Sequence, residues 1–96
     1  MITPDSIVTA SKDQVSCDLA GEAAILNLKN SSYYGLDEIG ARIWHLIEEP
    51  RLVSDVRDAI VDEYDVDPEE CEQDVIELLQ RLAAEGLVEI KGETAP

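Results

Sequence analysis

The side chains that could do covalent or metal chemistry are few in this sequence, and their spacing keeps them apart. His45 is the single histidine and has no cysteine near it in the chain. Structural zinc takes four ligands at short local spacings, so His45 reads as a helix-flank residue and not as a ligand. Cys17 and Cys71 form no Cys-x-x-Cys pair, and neither has an imidazole beside it. A nucleophilic thiolate needs such a base or an electropositive pocket. Set among carboxylates, both cysteines read as small apolar packers. Joining them would require their Cα atoms to come within about 7 Å. Nothing marks a disulfide scaffold, so two free, semi-buried thiols in a reducing compartment are predicted. Asp65, Asp67 and Glu69 alternate as in a calcium loop, but the glycine of its sharp turn is missing and Pro68 stands where the loop must bend. The other carboxylates show no spacing that singles out an acid–base pair, and there is no glycine-rich phosphate loop. The sequence thus predicts no catalytic residue, no metal, no cofactor and no enzyme.

A binding role needs a scaffold, and 96 residues provide one. The chain reads as a single domain, 1–96, with an ordered core at about 6–90. Hydrophobic residues make up 45%, but the aromatics are only Tyr33, Tyr34, Trp44 and Tyr64, so the core is aliphatic. Twenty-two acidic side chains face seven basic ones, a net charge of −15. That charge repels phosphate backbones and anionic lipid, which disfavours nucleic acid and membrane surfaces as partners. It also serves plain solubility. Met1–Asp5 has neither the basic start nor the apolar run of a signal peptide, and no apolar stretch approaches the ~20 residues that span a bilayer. A cytoplasmic location is expected.

Hydropathy patterning divides the chain into a β half and an α half. Residues 6–10 are rich in β-branched side chains and read as a strand, followed by a turn at Ser11–Asp13. Val15, Cys17 and Leu19 then alternate with polar residues at period two, one face wet and one dry. Ala20-Gly21 is a turn, and a third strand runs from Glu22 to Leu28. Connections this short imply hairpins, hence a three-stranded antiparallel meander. After Asn30-Ser31-Ser32 the pattern becomes helical. Asp37 can cap a first helix carrying Ile39, Ile43, Leu46 and Ile47, and Ser54 a second carrying Val56, Ile60 and Tyr64. The third has the clearest start: Asp67 as N-cap, Pro68 at N1 and Glu70 at N3. Its stripe is Cys71, Val75, Leu78, Leu79 and Leu82, and Gly86 stops it. Leu87–Ile90 reads as a last short strand, and Lys91–Pro96 as a frayed tail. The fold class is α+β: a winged helix-turn-helix-like domain, a three-stranded antiparallel sheet followed by three helices.

Two features of this layout point to peptide binding. Tyr33 and Tyr34 lie where the sheet hands over to the helices, and Glu70, Asp74 and Glu77 flank the apolar stripe of the third helix. If strand 22–28 is a sheet edge, its free N–H and C=O groups invite an added strand. The residues alone leave a second interpretation standing, in which the tyrosines seal the core and the tail covers the edge. They also leave a winged-helix DNA-binding regulator, although Glu69, Glu70, Glu72, Asp74 and Glu77 against Arg81 give its third helix a phosphate-repelling face. An acidic adaptor for another folded protein is a further alternative.

Ala24-Ile25-Leu26-Asn27-Leu28, Tyr33-Tyr34-Gly35-Leu36 and Ile39-Gly40-Ala41-Arg42-Ile43-Trp44 resemble the PqqD-like family in order and spacing. Val56, Ile60, Tyr64-Asp65-Val66, Asp74-Val75, Leu78-Leu79, Leu82 and Glu85-Gly86-Leu87 continue the resemblance, which spans about Ser6 to Glu89. Within the family, the segment is most similar to the stand-alone leader-binding subunit of lasso-peptide biosynthesis, a RiPP recognition element. The resemblance implies that the leader of a ribosomally made precursor adds as an antiparallel strand beside the third strand and packs on the third helix. The peptide-binding residues it implies are Ala23, Ala24, Ile25, Leu26, Asn27, Leu28, Tyr33, Tyr34, Glu70, Cys71, Asp74, Val75 and Leu78. Its implied partners are the precursor leader, a separate leader cysteine protease and a cyclase.

Overall fold

The computed structural model describes residues 2–93. β1 (Ser6–Ala10) is followed by β2 (Gln14–Leu19), β3 (Glu22–Asn27), β4 (Tyr33–Leu36), α1 (Glu38–Leu46), β5 (Arg51–Leu52), α2 (Val53–Tyr64), α3 (Pro68–Ala84) and β6 (Val88–Glu93). A three-stranded antiparallel sheet followed by three helices is therefore present, but its strands are β2, β3 and β4. β1 leaves the expected meander and becomes the centre of a second sheet, β5-β1-β6. The cause lies in its burial. Ser6, Val8 and Thr9 are buried without alternation, as in a strand flanked on both edges and covered on both faces. Instead of reversing at Ser11–Asp13, the chain continues pairing: Ala10 N–H donates to the Ile47 carbonyl (2.8 Å) and Ser11 N–H to that of Leu87 (2.8 Å).

The β2–β3 hairpin is tight. Ala20 (φ 53°) and Gly21 (φ 87°) form a two-residue turn with both φ positive, which matches the right-handed twist of the flanking strands. Ser31 (φ 59°) lies in the next connection, after which the chain returns as β4, with Ile25 opposite Tyr34 and Ala23 opposite Leu36. Tyr33–Leu36, expected as the entry to the helices, is thus a strand in its own right.

The helix termini follow local chemistry. Asp37 accepts from the Gly40 N–H at 2.8 Å, and Asp67 from the Glu70 N–H at 3.0 Å, with Pro68 in the first turn. Ser54 is not a cap. α2 begins at Val53, after Leu52, so Ser54 lies inside its first turn, and the Ser54 N–H is satisfied by the Pro4 carbonyl (3.0 Å). α3 ends on Gly86 at φ 75°, whose N–H bonds to the Ala83 carbonyl while that of Leu87 bonds to the Leu82 carbonyl. These two bonds satisfy the Ala83 and Leu82 carbonyls in the last turn of the helix. β6 carries the chain through Lys91–Glu93, where a frayed tail was expected; the rest of that tail, 94–96, lies outside the described residues.

Ile25, Ile60, Leu79 and Leu82 meet in a single core between the helices and both sheets, mostly aliphatic but with the aromatic Trp44 buried in it. Each such side chain fully removed from water contributes about 1.5–3 kcal/mol. Among the described residues, no helix is long and apolar enough to cross a membrane.

Candidate functional site

Because β3 is central, hydrogen-bonded to β2 along one side and β4 along the other, it has no free edge. The expectation that a peptide adds beside residues 22–28 is corrected on that ground: the open edge on this side of the sheet belongs to β4. Which of its backbone groups are free follows from the register. The Asn27 N–H donates to the Ser32 carbonyl at 2.8 Å, so the 27–32 pair is hydrogen-bonded. In an antiparallel ladder such pairs alternate. Tyr34 and Leu36 therefore bond inward to β3, whereas the N–H and C=O groups of Tyr33 and Gly35 point outward.

This edge borders an open groove of about 510 Å³ that runs between β4, the start of α1 and α3. Ile39 and Ile43, four residues apart on α1, and Leu78 on α3 give it apolar walls. Asp74, Glu77 and Arg81 recur at three- and four-residue spacing along one face of α3 and line the same space. Arg81 Nη2 reaches Glu77 Oε1 at 3.0 Å. That carboxylate, and then the Tyr34 hydroxyl, push the guanidinium still higher above its usual range, so it is a fixed cation. Main-chain donors and acceptors thus stand along one wall, apolar side chains and charges along the other.

The thirteen anticipated binding residues divide sharply. Tyr34, Asp74 and Leu78 line the groove. Ala23 and Ile25 are buried core residues on the inner face of β3, and Val75 is buried beneath α3. Asn27 is also inward: its Nδ2 donates to the Glu85 carbonyl at 2.6 Å and its Oδ1 accepts from the Lys29 N–H at 2.9 Å, tying the sheet to the end of α3. Cys71 packs toward α2, its Sγ 3.8 Å from the Arg57 carbonyl, and burial followed by the Asp74 charge pushes its thiol up. Glu70 is exposed in the first turn of α3, away from the groove. Ala24, Leu26 and Tyr33 share the outer face of the sheet, away from the helices, and Leu28 is exposed just past β3. Sequence patterning missed Gly35, Leu36, Ile39, Ile43 and Arg81. The signal was present in Asn30-Ser31, turn residues that separate two β-prone runs and so mark a second hairpin.

Other reactive groups serve structure. His45 bridges Asp18 of β2 (2.9 Å) and Glu48 (2.8 Å), one ring nitrogen to each. Asp65 closes α2 in the left-handed conformation and Asp67 caps α3. Both thiols are free; Cys71 is buried, but Cys17, expected as a semi-buried packer, is exposed on β2. Among the described residues, no three His, Cys, Asp or Glu side chains converge as a metal site.

The family described as Coenzyme PQQ synthesis protein D (PqqD) matches residues 22–88, which include all of β3, β4 and the three helices. The chain belongs to the PqqD family. The solved structure of TbiB1 in complex with the TbiA(beta) leader peptide is 36% identical to this PqqD-family chain, covers 91% of it and 99% of its own length, and superposes with a TM-score of 0.78. Two more distant structures share the fold. Lasso peptide synthetase B1 complexed with the leader peptide is 18% identical, with 85% and 96% of the two chains covered and a TM-score of 0.75. The PqqD truncation of Methylobacterium extorquens PqqCD, solved in solution as a stand-alone recognition element for ribosomally synthesised, modified peptides, is also 18% identical. It covers 93% of this chain and 95% of its own at a TM-score of 0.78. No curated protein matches the chain.

Proposed function

We propose that this domain binds the leader segment of a ribosomally made precursor peptide as a strand added to β4, and presents it to a separate leader cysteine protease and a cyclase in lasso-peptide biosynthesis. The observation that carries the proposal is the unpaired backbone of Tyr33 and Gly35 facing an apolar-walled groove under α3. Main-chain pairing supplies affinity that tolerates sequence change, and alternate side chains entering the groove supply selection. Ile39, Ile43 and Leu78 favour apolar leader residues, while Asp74 favours a donor or cation beside them. The likeness to TbiB1, a protein solved with a leader peptide, supports the same assignment. The domain itself does no chemistry. Ordering a flexible leader costs about 2–5 kcal/mol of the gross interaction. Calorimetry tests the proposal: the cognate leader without its core binds one to one, and equal affinity for the core alone would contradict it.

A further inference from the structure

α1 crosses the β2-β3-β4 sheet and is held at both ends of one cross-strand row. Asp18 of β2 lies opposite Ala23 of β3, and Ala23 opposite Leu36 of β4, so the three side chains share the inner face. At the β4 end the contact is close packing: a Cβ on Gly40 would meet Leu36 Cβ and Cδ2 at 3.3 Å. At the β2 end it is polar. His45 Nε2 lies 2.9 Å from Asp18 Oδ1, and Nδ1 lies 2.8 Å from Glu48 Oε1, just past the helix. Gly40 and His45 are five residues apart, about 7.5 Å of helix, and two strand spacings are about 9.6 Å. The helix thus reaches from one outer strand to the other. Between the two holds it carries Ile43, a wall of the leader groove.

Beyond Gln14 every residue of β2 is exposed, and a cavity of about 340 Å³ opens between the tip of the β2–β3 hairpin and the helices. The polar bridge, and not apolar packing, ties this strand to α1. The charged and titratable groups around His45 are Asp18 of β2, Glu22 at the start of β3, Glu38 and Arg42 of α1, Glu48 after α1, and Tyr64 of α2. Arg42 is already matched by Glu63 of α2 at 2.9 Å. The imidazolium is therefore the cation that answers the other four carboxylates. Once neutral, the ring has one N–H for two carboxylate acceptors, and one bond becomes a lone pair facing an anion. The Glu48 bond, and then the Asp18 bond, keep the proton on the ring to a higher pH than in an ordinary histidine.

We infer that His45 is a positioning residue for leader binding: protonated, it pins the end of α1 to β2 and so fixes the groove wall at Ile43, and deprotonation frees that end to swing about the Gly40–Leu36 contact. The inference rests on the peptide-binding proposal above. His45 does not line the groove and lies two residues, about 200° around the helix, from Ile43. It acts on the leader through the placement of α1. A leader that needs the pinned helix binds the protonated form more tightly, and by reciprocity its binding raises the pH at which His45 titrates. Affinity is full while the free protein's ring is charged, and falls as pH rises past that folded-state value, itself above 6.5.

Two measurements on the tag-free chain, with a synthetic peptide of the cognate precursor's leader, test this. Calorimetry compares leader affinity at pH 6 and pH 9 for wild type and His45→Gln. Wild type should bind about threefold more tightly at pH 6, the scale of an exposed ion pair, and His45→Gln should show the weaker affinity at both pH values. Proton NMR then follows the imidazole C–H signal, which is unambiguous because His45 is the single histidine. Saturating leader should move its titration midpoint to higher pH by the logarithm of the same factor. This second measurement uses wild type alone and does not depend on how well His45→Gln folds. A midpoint that leader leaves unmoved, or a wild-type affinity equal at pH 6 and pH 9, would overturn the inference alone. So would a pH dependence that His45→Gln retains, since it then belongs to the peptide or to the groove. A wild-type chain that binds no leader at either pH would overturn the peptide-binding proposal, and this inference with it.

Discussion

Asn27→Ala separates the structural role found here from direct peptide contact. Asn27 is buried at the end of β3, where Nδ2 donates to the Glu85 carbonyl at 2.6 Å and Oδ1 accepts from the Lys29 N–H at 2.9 Å. The Glu85 carbonyl belongs to the last turn of α3, where carbonyls lack helical partners. Alanine removes both bonds and strands that carbonyl in a partly buried place. Two neutral hydrogen bonds at about 1 kcal/mol each, with a further ~1 kcal/mol for the stranded acceptor, give a loss of about 2–3 kcal/mol. In a domain of this size that lowers the melting temperature by roughly 10–20 °C. Asn27→Asp should be at least as damaging, since it sets a carboxylate against the Glu85 carbonyl. Thermal unfolding by circular dichroism measures stability, and leader titration well below the transition measures binding. The leader should bind the folded variant nearly as it binds wild type. An unchanged melting temperature together with lost leader affinity would refute the reasoning and return Asn27 to the peptide site.

Two further predictions concern charge. Asp74→Ala should weaken leader binding by roughly 1–3 kcal/mol, as for a charged group removed from a desolvated contact, with the melting temperature unchanged; wild-type affinity in calorimetry would remove Asp74 from the site. His45 faces two carboxylates, and only the imidazolium can donate to both. The bond to Glu48, and after it that to Asp18, raise its pKa above 6.5 against an opposing effect of burial. A raised folded-state pKa means the contribution is fully present below about pH 6.5 and is lost as pH rises through the higher folded value. The melting-temperature gap between wild type and His45→Ala should therefore be wider at pH 6 than at pH 9, and a gap that widens toward alkaline pH would contradict the bridge.

What the sequence made legible were features with local causes. Asp67-Pro68 and Gly86 marked the ends of α3 because capping chemistry is decided within a turn. Ala20-Gly21 marked its hairpin because two positive φ angles suit few residues. Strand partnership was not legible. Ser6–Ala10 is β-prone whether it pairs with the next strand or with β5 and β6, and only tertiary burial chooses between them. That one choice moved the free edge from 22–28 to Tyr33–Leu36, and with it most of the expected site. On the helical side of the groove, the positions of Asp74 and Leu78 follow from the period of α3, and a helix keeps its faces wherever the sheet lies. The alternation of Val15, Cys17 and Leu19 was visible as well, but period two cannot say which face meets the core.

Amide exchange at Tyr33 and Gly35 tests strand addition at β4 most directly. In the free protein these two N–H groups point outward from an edge and should exchange quickly, whereas Tyr34 and Leu36, bonded to β3, should be slow. Saturating leader should protect Tyr33 and Gly35. Gly35→Pro, which removes the outward donor, should abolish binding, while Gly35→Ala should be tolerated because an added Cβ meets only Tyr33 Cε1, at 3.9 Å. Exchange at Tyr33 and Gly35 left unchanged by a leader that binds tightly would contradict strand addition, whatever the affinity.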